Sequence, residues 1–148
     1  MPKHKRIIHI IGLNSFKFED LALDIKDLFI QINDIAVPET FCHEIKRWIS
    51  DKYIENKKIF PSKSNIDLIN WLKNTNNDVI LISRGDPLWY GIGRILLKHF
   101  PQKELSFYPS QTCVQLAFSK LKIPWQNTRT VSIHGRETNE LIKCLKLK

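Results

Sequence analysis

One stretch of the chain concentrates the residues that could do chemistry: Ser83-Arg84-Gly85-Asp86-Pro87-Leu88-Trp89-Tyr90-Gly91-Ile92-Gly93. Three of its glycines, Gly85, Gly91 and Gly93, fall within nine residues. Glycine permits a positive φ and lets a ligand approach the peptide closely. Asp86 is placed to accept hydrogen bonds from backbone N–H groups or from a ligand, and Pro87 stiffens the turn. Trp89 and Tyr90 offer flat apolar faces. A nucleoside requires such a wall together with a few polar groups. The chemistry these residues suit is the binding of a ligand against a turn.

The elements around the stretch must hold it as a turn. Residues 78–83 (DVILIS) form a continuous apolar run, which predicts a central parallel strand buried on both faces. A helix is predicted from about residue 91 to 100, stopped by Pro101. Further strands are predicted at 6–11, 34–37, 104–108 and 129–133. Helical spacing is found over 18–32, 38–55 and 111–121. Another helix runs to residue 74, capped by Ser62 or Ser64. Pro124 ends the 111–121 helix, and residues 141–148 could form a short terminal helix. Alternating strands and helices give an α/β fold, a parallel sheet flanked by helices on both faces. Ligands of such sheets sit beyond the carboxyl ends of the strands. The turns after Ile11, Ser83 and Tyr108 fall there.

The 148 residues suit one domain with a real core, and 43% hydrophobic with 26% charged residues is ordinary globular composition. No apolar run approaches a membrane span, and the apolar run after the basic N-terminus is too short for a secretion signal. Cys42, Cys113 and Cys144 are odd in number and widely spaced, which argues for a reducing, cytoplasmic setting and no metal. The net charge of +8 admits nucleic acid, a small polyanionic substrate, or lysines scattered over solvated faces.

Three strings carry a family resemblance. GDPLWYGIG (residues 85–93) resembles the GDPxxYGIG of the precorrin-6Y methyltransferases, in the module that methylates carbon 5. Residues 109–118 (PSQTCVQLAF) resemble that family's PxxSSVQLAF, with 121–125 (LKIPW) following at the family's place. Residues 131–136 (VSIHGR) resemble its VSLHGR. Their common order makes the match specific.

The resemblance implies the N-terminal α/β domain of a tetrapyrrole methylase. That fold has two α/β domains, with S-adenosylmethionine in the cleft between them. Residues 1–128 would be the cofactor-binding domain, and 129–148 the start of a truncated second domain or a tail. The family's first glycine-rich turn, GxGPG, reads Gly12-Leu13-Asn14-Ser15-Phe16 here. Asn14 tolerates the left-handed region. The residues carried over to cofactor binding are Gly12, Ser15, Arg84, Gly85, Asp86, Trp89, Thr112 and Cys113. Tyr90, Arg94, His134 and Arg136 fall on the substrate side. The implied activity is methylation of carbon 5 of precorrin-6Y or its cobalt form, an anionic tetrapyrrole. The resemblance also admits a homodimer and a companion module that methylates carbon 15 and removes an acetate carboxyl. Rival readings are a truncated S-adenosylmethionine-binding domain without activity and an RNA methylase of the same fold. A nucleic-acid binder would need a recognition helix or a base-stacking signature, and the chain offers neither.

Overall fold

The two most apolar segments become the two central strands of a five-stranded sheet. In the computed structural model, which describes residues 6–51, 53–133 and 137–146, β1 (Ile8–Leu13) pairs in parallel with β4 (Val79–Arg84). The other strands are β2 (Asp34–Pro38), β3 (Lys58–Ser62) and β5 (Leu105–Tyr108), and the sheet order is β3-β2-β4-β1-β5. Every pairing is parallel.

Alternate residues of each strand feed two separate cores. Ile11, Ile35, Ile80 and Ile82 face one, closed by α1 (Leu23–Gln31) and α2 (Cys42–Ser50) through Phe29, Ile45 and Trp48. Ile8, Ile10, Val79 and Leu81 face the other, closed by α3 (Asn65–Asn74) and α4 (Gly93–His99) through Leu68, Leu72 and Leu96. Helices therefore cover both faces, as the residue pattern predicts. The helix after β1 lies on one face and the helix after β4 on the other, while β1 and β4 are neighbours. That pair is the switch point of the sheet, where a crevice opens beyond the strand ends.

Three polar side chains tie the elements together. The Arg6 guanidinium donates to the carbonyls of Leu72 and Thr75 at the end of α3, and to Glu104 Oε2 at 3.0 Å. Lys57 Nζ donates to the Ile30 and Ile32 carbonyls at the end of α1, at 2.8 and 2.9 Å. His9, half-buried on β1, has its Nδ1 3.0 Å from the Tyr108 hydroxyl. Burial holds the His9 pKa below its ordinary value, with the Asp78 carboxylate opposing the shift.

Three expectations are corrected, and one strand was missed. Strand β3 has no alternation of apolar and polar residues and contains Pro61; it is an edge strand, where a missing N–H costs no ladder bond. Residues 129–133 are not a strand: the sheet's members are β1 to β5. The helix expected over 18–32 breaks into a short 3-10 turn at Phe18–Asp20 and then α1. The helix expected over 38–55 covers only Cys42–Ser50, and Tyr53 lies beyond it, stacked on Phe18 at 5.2 Å.

The chain divides into two compact units, Met1–Thr112 and Cys113–Lys148. The first contains the whole sheet. The second contains α5 (Cys113–Leu121), which ends with Lys122 at φ 57°, and the amphipathic α6 (Asn139–Lys146). Among the described residues, no helix is long and apolar enough to cross a membrane.

Candidate functional site

The turns that follow β4 and β5 meet over the end of β1, the strand between them. Gly85 N–H donates to the Leu13 carbonyl at 3.1 Å, and Ser110 N–H donates to the Gly85 carbonyl at 3.3 Å. The second bond crosses directly above Gly12. A Cβ built on Gly12 would lie 1.8 Å from Gly85 O and 3.0 Å from Ser110 N. The close approach anticipated for a glycine is thus made by the chain itself. Asn14 completes the junction: its Nδ2 donates to Ser110 Oγ at 2.8 Å and to the Gln111 carbonyl at 2.7 Å.

The Asn14 role was missed in the sequence. Its tolerance of left-handed backbone suggested a turn former. Among the described residues the left-handed ones are Asn56, Gly85, Tyr90 and Lys122. Asn14 works through its carboxamide, and its place just past β1, two residues after Gly12, is the signal that could have indicated this.

The turn itself is built as its residues demand. Gly85 has φ +62°, open to glycine at little cost. Asp86 Oδ1 accepts from Leu88 N–H at 2.8 Å, and the Asp86 carbonyl accepts from Trp89 N–H at 3.1 Å. Asp86 remains half-buried, with a second carboxylate oxygen available to a ligand. Gly93 N–H donates to the Pro87 carbonyl at 2.9 Å, joining the turn to α4. Trp89 and Tyr90 are in edge-to-face contact at 5.1 Å and both are partly exposed. Tyr90 holds φ 51°, a strained setting for an aromatic residue.

The other expected site residues are distributed unevenly. Ser15 is turned into its own loop: its hydroxyl donates to Asp20 Oδ2 at 2.9 Å and accepts from Lys17 N–H at 3.2 Å. The Arg84 guanidinium lies 4.9 Å from the Phe41 ring, and Phe41 in turn packs on Phe16 at 4.9 Å. Thr112, buried, closes the first unit; Cys113 opens α5 in the second and is exposed. Arg94 is exposed on α4. His134 and Arg136 lie outside the described residues. Gly12, Gly85 and Asp86 are thus brought together with residues 110–112, whereas the Arg84 side chain departs toward Phe41. Among the described residues, no three His, Cys, Asp or Glu side chains cluster as a metal site.

Residues 37–145 match the family model for Tetrapyrrole (Corrin/Porphyrin) Methylases. The chain belongs to this family. It is 34% identical over 90 residues to the probable cobalt-precorrin-7 C(5)-methyltransferase of Methanocaldococcus jannaschii, covering 57% of this chain and 43% of that protein. It is 30% identical over 70 residues to the cobalt-precorrin-7 C(5)-methyltransferase of Salmonella typhimurium, covering 47% of this chain and 35% of that protein. The match thus spans less than half the length of these relatives. The fold resembles that of a crystallised precorrin-6Y methylase from Archaeoglobus fulgidus, with TM-score 0.65 at 21% identity. That superposition covers 89% of this chain and 67% of the other.

Proposed function

We propose that this chain binds S-adenosylmethionine at the β1–β4 switch point and serves methyl transfer to an anionic tetrapyrrole, at carbon 5 of precorrin-6Y or its cobalt form. The observation that supports the reading is the closure of the β4 and β5 turns over Gly12, the β4 turn being the one that carries Gly85, Asp86 and Trp89. The donor set suits this cofactor. The free oxygen of Asp86 can accept from a ribose hydroxyl or from the ammonium group. The exposed indole of Trp89 offers a face for adenine, and the exposed rim leaves both accessible.

The bound cofactor supplies a methyl group that is already activated, so no protein nucleophile is required. What remains for the chain is to hold the reacting atoms close and aligned, a contribution of up to roughly 7–11 kcal/mol. Asp86, fixed by its bond to Leu88 N–H, orients the donor. Trp89 and Tyr90 cover it and keep water away. Basic side chains attract the carboxylates of the macrocycle, in line with the net charge of +8.

Calorimetry with S-adenosylhomocysteine tests the reading. The unaltered chain should bind it, and Asp86→Ala should weaken binding about tenfold, through loss of one charge-assisted hydrogen bond. Lack of binding by the unaltered chain would overturn the proposal. Ser15 favours a second reading, a cofactor-binding domain without turnover of its own, because its hydroxyl is committed to Asp20 and Lys17. Binding of S-adenosylhomocysteine with no methyl transfer to a precorrin substrate would select it.

A further inference from the structure

A cavity of about 260 Å³ opens at the carboxyl ends of β2, β3 and β4, beside the Arg84–Gly85 turn. Its two charged lining residues, Lys63 and Arg84, are both cations. Ser62, Ser64 and Ser83 supply hydroxyls to its wall, whereas Leu68 and Leu81 make an apolar floor. Helix α3 starts at this wall. Ser64 Oγ accepts from Asp67 N–H at 3.1 Å, and Asp67 Oδ2 accepts from Lys63 N–H at 3.2 Å. The Asp67 carboxylate is thereby turned onto the backbone. The amides of Asn65 and Ile66, in the first turn, have no partner within the helix and lie at its positive end.

Ser83 adds a separate observation. It is only 9% exposed, and its hydroxyl donates to the Arg84 carbonyl at 3.5 Å. That distance is at the long limit of a hydrogen bond. A hydroxyl so deeply buried and so weakly engaged retains a donor for a ligand entering the cavity.

Cations and donors around an apolar floor suit an anion carried on a hydrocarbon stem. We propose that this cavity receives one carboxylate-bearing side chain of the macrocyclic substrate, with Lys63 as the principal cation and Arg84 at the rim. The proposal rests on the tetrapyrrole reading above and names the part of the surface that would fix the substrate's rotation. Carboxylate and phosphate share the chemistry recognised here, and the experiment separates them.

The test is a fluorescence titration of the full chain with uroporphyrin, an octacarboxylate porphyrin, alongside calorimetry with S-adenosylhomocysteine. Lys63→Gln should raise the porphyrin Kd about fivefold, as expected for one partly exposed charge-assisted contact. It should leave S-adenosylhomocysteine binding unchanged. Lys98→Gln, on the last turn of α4, should change the porphyrin Kd less than about twofold. Inorganic phosphate should displace the porphyrin only at far higher concentration. Equal effects of Lys63→Gln and Lys98→Gln, with S-adenosylhomocysteine still bound, would overturn the subsite alone. Displacement by phosphate at matching concentration would overturn its assignment to carboxylate. Failure of the unaltered chain to bind S-adenosylhomocysteine would overturn the functional reading, and the assigned ligand with it.

Discussion

At Gly12 a hydrogen atom does what no side chain could. The Ser110–Gly85 hydrogen bond passes over this position, so a methyl group there would sit within the bond itself. Gly12→Ala must separate the two turns or displace β1, at a cost of about 3 kcal/mol or more. Thermal denaturation should show a large fall in Tm, and S-adenosylhomocysteine affinity should fall in whatever fraction remains folded. The glycine was visible in the sequence, as was the Gly85–Gly93 turn. The partner crossing it was not, because Ser110 and Gly85 approach only once β5 has added beside β1.

Among the elements, helix ends show how remote residues determine local structure. The last carbonyls of α3 have no partners within the helix, and Arg6 supplies them from the far side of the sequence. It also pairs with Glu104, at the start of β5. Arg6→Ala should cost about 2–3 kcal/mol, from hydrogen bonds between a charged donor and partly buried acceptors. Urea denaturation measures this, and a loss below the cost of one such bond would show that water replaces the guanidinium. Elements with a continuous apolar run or a regular apolar spacing were legible: β1, β4, α3, whose cap proved to be the second of the two serines offered, and α4 up to Pro101. The failures have physical causes. Residues 129–133 alternate like a strand, yet they do not join the sheet. Strand β3 is edge-on and carries Pro61, so it lacks the apolar signature of its neighbours. At the candidate site, the residues of the β4 turn were legible because chemistry selects their types. The Arg84–Phe41–Phe16 contact was not, since it joins three residues far apart in the sequence.

For the molecule as a whole, His9 couples stability to pH. Its pKa in the folded chain lies below the ordinary value of about 6.5, because burial penalises the imidazolium. The unfolded chain therefore takes up the proton first as pH falls. Stability is full above about pH 6.5 and declines as pH falls from there through the folded-state pKa. His9→Gln should flatten this part of the curve, measured as Tm between about pH 7.5 and 5. An unchanged slope would assign the dependence to other groups. The strand order also sets a schedule. Ile8 pairs with Val79 on one side and Leu105 on the other, and only β2 and β3 are neighbours in both sequence and space. A nascent chain emerging at roughly 5–20 residues per second must leave the apolar strand β1 unpaired for seconds while its partners are still being made. Refolding should accordingly be slow for a domain of this size, with hydrogen-exchange protection in β1 no earlier than in β4. The strand that anchors the site is thus the one most dependent on being shielded from other chains during synthesis.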